Sequence, residues 1–277
     1  MQFAERIATQ ELEAMDTAAF EGPITVVSEP GEDLAEAVEY LRTQPILGFD
    51  TETKPCFQPN APRNNMAILQ LSGKEKAYVF KLQVLGLPQA VADLMANPKI
   101  VKVGAAVRDD VRGLQHYASF VPRNFVDLQK LTDAFGIRDN SVKKMAAIIL
   151  NQKISKSQQL SNWEAPQLSG AQLKYAATDA WICVEMYERL MAVGEAGMRP
   201  LPLQPDPNAE PGTPLPIGET LTLAEALKRA TLSGEMQQKA HKPKKKLSPE
   251  ARKRRNRSRN LRRKRKKQEK RSSLEKE

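Results

Sequence analysis

The sequence predicts an α/β domain, a mixed β-sheet with helices on its faces, followed by a disordered basic tail. Short apolar runs bounded by turn-forming residues are grouped in the first half of the chain, as in a meander of strands. Helical periodicity dominates the second half, after one further strand. Residues 239–277 contain 20 basic residues, 4 acidic residues and no aromatic side chain. Such a segment cannot bury enough apolar surface to fold alone, which predicts the tail.

Charge and composition separate two parts of the chain and exclude several classes of protein. The 277 residues carry a formal net charge of +10, yet residues 1–238 contain 23 basic and 29 acidic residues, so an acidic body precedes the basic tail. No apolar run is long enough to span a membrane, and the N-terminus lacks the pattern of a secretory signal. Two cysteines and two histidines cannot build a disulfide framework or a structural zinc site. We therefore expect a soluble, cytoplasmic protein without a membrane partner.

The first half of the body begins after an N-terminal extension, which we interpret as a helix that lies on the body. Ile24–Ser28 is rich in β-branched residues and predicts a strand. Gly31–Arg42 is amphipathic with acids in its first turn, which favours a helix. Three apolar runs bounded by turn formers then predict strands at Ile46–Thr53, Met66–Ser72 and Ala77–Leu82.

The second half of the body is mainly helical. Ile100–Ala106 predicts one more strand, which runs directly into a helix. The helices expected here cover Val107–Tyr117, Asp127–Phe135 and Val142–Leu150. The last helix is the best marked, because Ser169 and Gln172 form a capping box and Gly194 suits its C-terminal cap.

The rest of the chain contains one further predicted element. Seven prolines between Pro200 and Pro216 exclude a packed structure and predict a semi-rigid linker. Thr222 and Glu225 form a second capping box, which predicts a short helix. The predicted segments are an extension (1–23), a body (24–196), a linker (197–219), a short helix (220–235) and a tail (236–277).

Carboxylates recur in pairs at the ends of predicted elements. Asp50 and Glu52 lie two apart near the end of a strand, so their side chains leave the same face. Two carboxylates this close repel each other unless a cation lies between them or one holds a proton. For an isolated pair of this kind, a solvated turn is the more common explanation.

Two more groups lie on helices, and each also has a simple structural explanation. Asp109 and Asp110 begin the helix after the last strand, where acids favour the helix dipole. Tyr175 and Asp179 are four apart on one face of the last helix, where an ordinary hydrogen bond would account for them. The order of the three groups along the chain is what indicates a function.

That order, with its flanking residues, resembles the DEDD 3′–5′ exonucleases of the tyrosine subtype, which includes RNase D and the Werner-type exonuclease domains. GFDTET resembles the first family motif, KVGAAVRDDVRGL the second and YAATDAWICVEMYERL the third, and SNWEAPQLSGAQLKYAATDA resembles the run from a tryptophan into the last helix. The resemblance extends over Ile24–Leu190 and implies a ribonuclease H-like fold. RNase D-like chains carry an Arg-Pro pair where this chain has Pro166 and Gln167, so a basic contact to the substrate is expected to be missing there.

The resemblance implies a site of four acids and one tyrosine. The residues implied as catalytic are Asp50, Glu52, Asp110, Tyr175 and Asp179. Asp110 matches the family register better than Asp109, because it lies six residues after Gly104 and four before Leu114; whether Asp109 contributes is left open. The histidine subtype would require a histidine where Lys174 stands.

The chemistry that the resemblance implies is phosphodiester hydrolysis from a 3′ end, which releases nucleoside 5′-monophosphates. Two divalent cations, Mg²⁺ or Mn²⁺, suit a site made only of carboxylates. By resemblance, Asp50 bridges both cations, Glu52 and Asp179 complete the more buried one, and Asp110 reaches the other. A phenol with an ordinary pKa near 10 is a poor base, so Tyr175 is expected to orient the attacking water.

The tail predicts a nucleic-acid partner, either RNA or DNA. Arg252–Arg271 holds 14 Lys or Arg residues in 20 positions. Like charges and the lack of an apolar stripe predict disorder until the tail meets a polyanion. Without aromatic residues its binding is expected to be independent of sequence and sensitive to salt. The residues expected to contact nucleic acid are Arg252, Lys253, Arg254, Arg255, Arg262, Arg263, Lys264 and Arg265.

Two functions from different classes stay open at this point. The first is a metal-dependent exonuclease tethered to its substrate by the tail, with ribosome, nucleoid or, in a eukaryote, nuclear association left open. The second is a non-catalytic nucleic-acid or ribosome-binding scaffold that uses the exonuclease fold and the tail. The presence of all five catalytic residue types favours the enzyme, while the sequence does not decide between RNA and DNA.

Overall fold

A mixed β-sheet of six strands lies at the centre of the computed structural model, which describes residues 3–57, 64–196 and 221–232. The strands of the described residues are β1 (Thr17–Ala18), β2 (Ile24–Val27), β3 (Ile46–Thr53), β4 (Met66–Ser72), β5 (Ala77–Lys81), β6 (Val101–Gly104), β7 (Phe125–Asp127) and β8 (Lys153–Ile154). Strands β2 to β7 form the central sheet, and β1 and β8 form a separate pair. The helices are α1 (Thr9–Ala14), α2 (Glu32–Thr43), α3 (Leu82–Leu85), α4 (Gln89–Ala96), α5 (Val107–Leu114), α6 (Leu128–Ala134), α7 (Val142–Leu150), α8 (Gly170–Glu195) and α9 (Leu223–Ala230). The predicted linker (197–219) and tail (236–277) lie outside the described residues.

The sheet has the strand order β2-β5-β4-β3-β6-β7. Strands β3, β4 and β5 form an antiparallel meander, and β2, β6 and β7 join it in parallel. This arrangement confirms the predicted mixed sheet. It also corrects one element, because Phe125–Asp127 is a strand and the helix that follows begins only at Leu128. Three residues are too few to show alternation, so pairing with β6 decides this strand.

Helices cover the sheet and enclose its apolar residues. One cluster joins α2, α4 and α5 to β3, β4 and β5, and includes Leu41, Phe49 and Val111, each at most 1% exposed. Another cluster joins α6, α7, α8 and α9 and includes Met186 and Leu190. No helix within the described ranges is both long and apolar enough to cross a membrane.

The N-terminal extension packs on the body, as predicted. Its helix α1 buries Leu12 against Ala147, and β1 pairs in parallel with β8. The backbone N–H of Phe20 donates to the hydroxyl of Thr178 on α8 at 3.0 Å. Residues 3–23 therefore contribute to the core around α7 and α8.

Helix α9 has the predicted capping box but is not detached from the body. Ala226 and Ala230 are fully buried in the cluster around α6 and α8. Gly194, predicted as the cap of α8, is instead inside the helix, which runs to Glu195 and has Ala196 as its cap. A Cβ on Gly194 would lie 2.6 Å from a methyl group of Leu223. The glycine therefore allows α9 to approach α8, and does not end the helix.

Candidate active site

Strand β3 carries two of the predicted acids on the face that is covered by α8. In the antiparallel register Asp50 lies opposite Gln70 and Glu52 lies opposite Ile68. The parallel strand β6 pairs with β3 only as far as Gly48. Beyond this point β3 has no parallel neighbour, so Asp50 and Glu52 lie at an open edge of the sheet and are not fully buried.

Helix α8 brings the third acid to these two. Gly48 on β3 has no side chain, and a Cβ there would lie only 1.9 Å from the carbonyl oxygen of Ala180. The backbone of α8 therefore touches the strand next to Asp179. Carboxylate oxygens of Asp50, Glu52 and Asp179 lie within 4.8 Å of one another, the one such group found among the described residues.

The fourth acid, Asp110, comes from the first turn of α5. The residue before the helix, Ala106, has a left-handed conformation (φ 54°), and its N–H donates to the side chain of Asp127 at 3.0 Å. The hydroxyl of Thr51 donates to Asp110 at 2.7 Å. By contrast, Asp109 is 82% exposed and pairs with Arg112 at 3.2 Å. Of these two neighbouring acids, Asp110 is the one that contacts β3, through Thr51.

Tyr175 lies one helical turn before Asp179 and is 6% exposed. The centres of the Tyr175 and Trp163 rings are 5.8 Å apart. The ammonium of Lys156 lies 5.7 Å from the centre of the Tyr175 ring and 3.7 Å from a carboxylate oxygen of Asp179. The tyrosine is thus held between an indole, a cation and the acids.

A model of the 3′–5′ exonuclease family matches residues 25–195 of this sequence. The chain belongs to the 3′–5′ exonuclease family. The resemblance found in the motifs is thereby confirmed, and the matched residues are those that form the sheet, α8 and the four acids.

Curated relatives in this family share the domain but are longer proteins. The chain is 32% identical over 161 residues to exonuclease 3′-5′ domain-containing protein 2 of Drosophila melanogaster, which covers 57% of this chain and 27% of the relative. It is 28% identical over 178 residues to ribonuclease D of Gluconacetobacter diazotrophicus, which covers 63% of this chain and 44% of the relative. The chain therefore spans less than half the length of either.

Solved structures show the same fold. The EXO domain of Aedes aegypti Nibbler superposes with a TM-score of 0.55 at 22% identity, over 63% of this chain and 90% of that one. Escherichia coli RNase D superposes with a TM-score of 0.54 at 21% identity, over 62% of this chain and 45% of that one. The predicted ribonuclease H-like fold is confirmed.

Burial raises the pKa values of all four acids, and the charges of the other acids in the site add to the rise at Asp50 and Glu52. Burial raises the pKa of Asp50 well above its ordinary value, and the charges of Asp179, Glu52 and Asp110 add to the rise. Burial is the main cause of the rise at Glu52 and the charge of Asp179 is the next, and its pKa is raised to about 8. Burial also raises the pKa of Asp110 to about 6, although the hydrogen bond from Thr51 opposes the rise. Glu52 therefore retains its proton near neutral pH unless a cation replaces it, whereas Asp110, with a pKa of about 6, is mainly ionised there.

The chemistry of the donor set fits divalent cations. Burial raises the pKa of Asp179, while Lys156 and a hydrogen bond from Tyr175 oppose that rise. Oδ1 of Asp179 is buried and has no hydrogen-bond partner among the described residues. An unpaired carboxylate oxygen beside two other carboxylates is a hard oxygen ligand of the type that Mg²⁺ and Mn²⁺ prefer.

Several contacts of the site were not predicted from the sequence. Thr51 is the middle residue of the D-x-E motif, and its hydroxyl holds Asp110. Lys156 lies in a loop without periodicity, so no pattern marks its contact with Asp179. Lys81 donates to the carbonyl oxygens of Ala165 and Pro166 at 2.8 and 2.6 Å. A lysine of β5 thus holds the loop in which the Arg-Pro pair is missing.

The tail residues that were predicted to bind nucleic acid, between Arg252 and Arg265, lie outside the described residues. Their role stays a prediction.

Proposed function

We propose that this chain is a divalent-metal-dependent 3′–5′ exonuclease that hydrolyses single-stranded or recessed nucleic acid and releases nucleoside 5′-monophosphates. Family membership supports the exonuclease class. The observation that carries the metal dependence is the meeting of Asp50, Glu52 and Asp179 within 4.8 Å. Their raised pKa values add to this support, because three acids that repel each other are stabilised by a cation.

Asp50, Glu52 and Asp179 would hold one cation, and Asp110 with Asp50 would hold a second. Bound divalent cations would neutralise the charge that develops on the phosphate and lower the pKa of the attacking water. Burial and the neighbouring acids raise the pKa of Tyr175 further above its ordinary value, so this phenol keeps its proton. Tyr175 therefore orients the water by a hydrogen bond and does not act as its base.

We propose RNA or DNA as the substrate, by analogy with the relatives. A structural neighbour at a TM-score of 0.54 is a complex of Trypanosoma brucei RNase D with RNA U12, and the relatives also include DNA polymerase I of Aquifex aeolicus. An assay that incubates the protein with RNA, single-stranded DNA and recessed duplex ends of matched sequence, side by side, measures which of them it degrades.

The decisive experiment measures shortening of 5′-labelled oligonucleotides by the full chain with Mg²⁺ or Mn²⁺, and with EDTA instead. We expect Asp50→Asn to abolish metal-dependent shortening, because it removes a charge shared by both cations. Tyr175→Phe should slow shortening about 100-fold, the typical effect of removing one oriented hydrogen-bond donor. Asp109→Asn is the matched control and should retain activity, since Asp109 points to solvent. Unchanged activity in Asp50→Asn would contradict the proposal.

For the tail we propose sequence-independent affinity for nucleic acid, with ribosomes or the nucleoid as the anchoring polyanions. The proposal is supported by the density of Lys and Arg in residues 252–271. A chain that ends at residue 238 keeps α9 and should cleave, but its binding should fall less steeply with salt. Equal salt slopes for the two chains would refute the proposal.

A further inference from the structure

A fully buried amide lies beside the carboxylate cluster. Gln70 is 0% exposed in β4, among residues such as Leu69 and Leu71 that are equally buried and apolar. The antiparallel register places it directly opposite Asp50, and directly paired residues share a face of the sheet. Gln70 therefore occupies a core position on the α8 side, where an apolar residue would be expected.

The side chain of Gln70 is hydrogen-bonded to the carboxylate cluster. Its Nε2 donates to Oδ2 of Asp50 at 3.2 Å. Its Oε1 is buried and has no partner among the described residues. An amide that leaves one polar atom unpaired is a poor structural element, because a buried polar group without a partner is destabilising. Within the part of the chain that the structure describes, the side chain of Gln70 makes a single hydrogen bond, and its acceptor is Asp50.

We propose that Gln70 is a positioning residue for Asp50, which it holds in the orientation that binds the cation. The proposal rests on the proposed function, in which Asp50 is a metal ligand. A donor on Oδ2 restricts rotation of the carboxylate and leaves Oδ1, as well as a second lone pair on Oδ2, to a cation. Partners that hold a metal ligand in this way typically change metal affinity by about 10- to 100-fold.

Substitutions can separate this role from simple packing. Gln70→Met keeps nearly the same length and volume but removes the donor. Ser72→Ala is the matched control, because Ser72 is two residues further along β4, on the same face, and also fully buried. The Ser72 hydroxyl donates to the carbonyl oxygen of Gly73 at 2.7 Å, and no hydrogen bond joins it to the acids in the described structure.

The test measures binding of Mn²⁺ to the full-length protein without nucleic acid, from the electron paramagnetic resonance signal of free Mn²⁺. We expect the dissociation constant to rise about 10- to 100-fold in Gln70→Met and to stay within about twofold in Ser72→Ala. Thermal unfolding in EDTA checks that each variant is folded. If Gln70→Met does not fold, Gln70→Asn takes its place, because its shorter amide cannot reach Asp50 and should weaken binding in the same direction.

The possible results distinguish this inference from the proposed function. Unchanged Mn²⁺ affinity in a folded Gln70→Met or Gln70→Asn variant overturns the role of Gln70 alone. Equal weakening in Ser72→Ala also overturns it, because the effect would then be one of packing. A wild-type chain that binds no Mn²⁺, or an Asp50→Asn variant that binds it normally, contradicts the metal site itself.

Discussion

Gly48→Ala should separate α8 from β3 and dismantle the site without changing any acid. A Cβ at this position would lie 1.9 Å from the carbonyl oxygen of Ala180, 2.5 Å from its carbon and 3.2 Å from a methyl group of Val184. Non-bonded carbon and oxygen atoms approach to about 3.3 Å. The helix must therefore move by roughly 1.4 Å, the difference between these two distances. Helix backbone cannot rotate aside as a flexible side chain can, so the movement displaces Asp179 as well.

Gly48→Ala should lower both the stability of the protein and the rate of the reaction. Overpacking of a filled core typically costs about 1–3 kcal/mol in the free energy of unfolding. A displacement of about 1 Å at a catalytic group costs about 100-fold in rate. Urea unfolding in EDTA measures the loss of stability, and the rate of shortening of a 5′-labelled oligonucleotide with Mg²⁺ measures the loss of rate.

Gly170→Ala is the matched control for this experiment. Gly170 lies in the first turn of the same helix, and a Cβ there meets nothing within 4 Å. Alanine in place of glycine inside a helix should be neutral or stabilise by up to about 1 kcal/mol. If Gly48→Ala retains wild-type stability and rate, the close contact of α8 with β3 is not what positions Asp179, and the argument is wrong.

Two further predictions concern buried titratable groups. Burial raises the pKa of Glu52 from 4.5 to about 8 in the folded protein. Between these two pH values the metal-free folded state holds a proton that the unfolded state has lost. The free energy of unfolding should therefore fall as pH rises from 4.5 to 8. Urea unfolding in EDTA at pH 5.5 and 8 should show a smaller decline for Glu52→Gln; an equal decline would argue against a raised pKa. Burial lowers the pKa of Lys102, which is 0% exposed, from 10.5 to about 7, so the unfolded state binds the extra proton and stability should rise with pH between 7 and 10.5. Lys102→Met should lack that rise, which corresponds to at most roughly 5 kcal/mol in the free energy of unfolding. Identical pH dependence in the wild type and Lys102→Met would show that Lys102 keeps its charge.

Local patterns predicted most of the elements for identifiable reasons. The bounds of β3 and β4 agree with the prediction, because an apolar run between turn formers defines a strand without reference to its neighbours. The start of α8 agrees because a capping box is made by residues three positions apart. The strand Phe125–Asp127 was missed and Gly194 was misread as a cap. Both depend on contacts that are distant in sequence, with β6 for the strand and with Leu223 for the glycine.

The candidate acids and Tyr175 were named from the sequence through the resemblance of its motifs to a known family. The period of a strand or helix indicated only which of these side chains share a face. The sequence did not determine how near these motifs come to one another. Asp50 and Asp179 meet because Gly48 has no side chain and lets the backbone of α8 touch β3. The same packing removes water from the carboxylates and raises their pKa values, and it places Thr51, Lys156 and Gln70 against them. Distances between elements and burial are properties of the packed structure, so only the tertiary fold decided them.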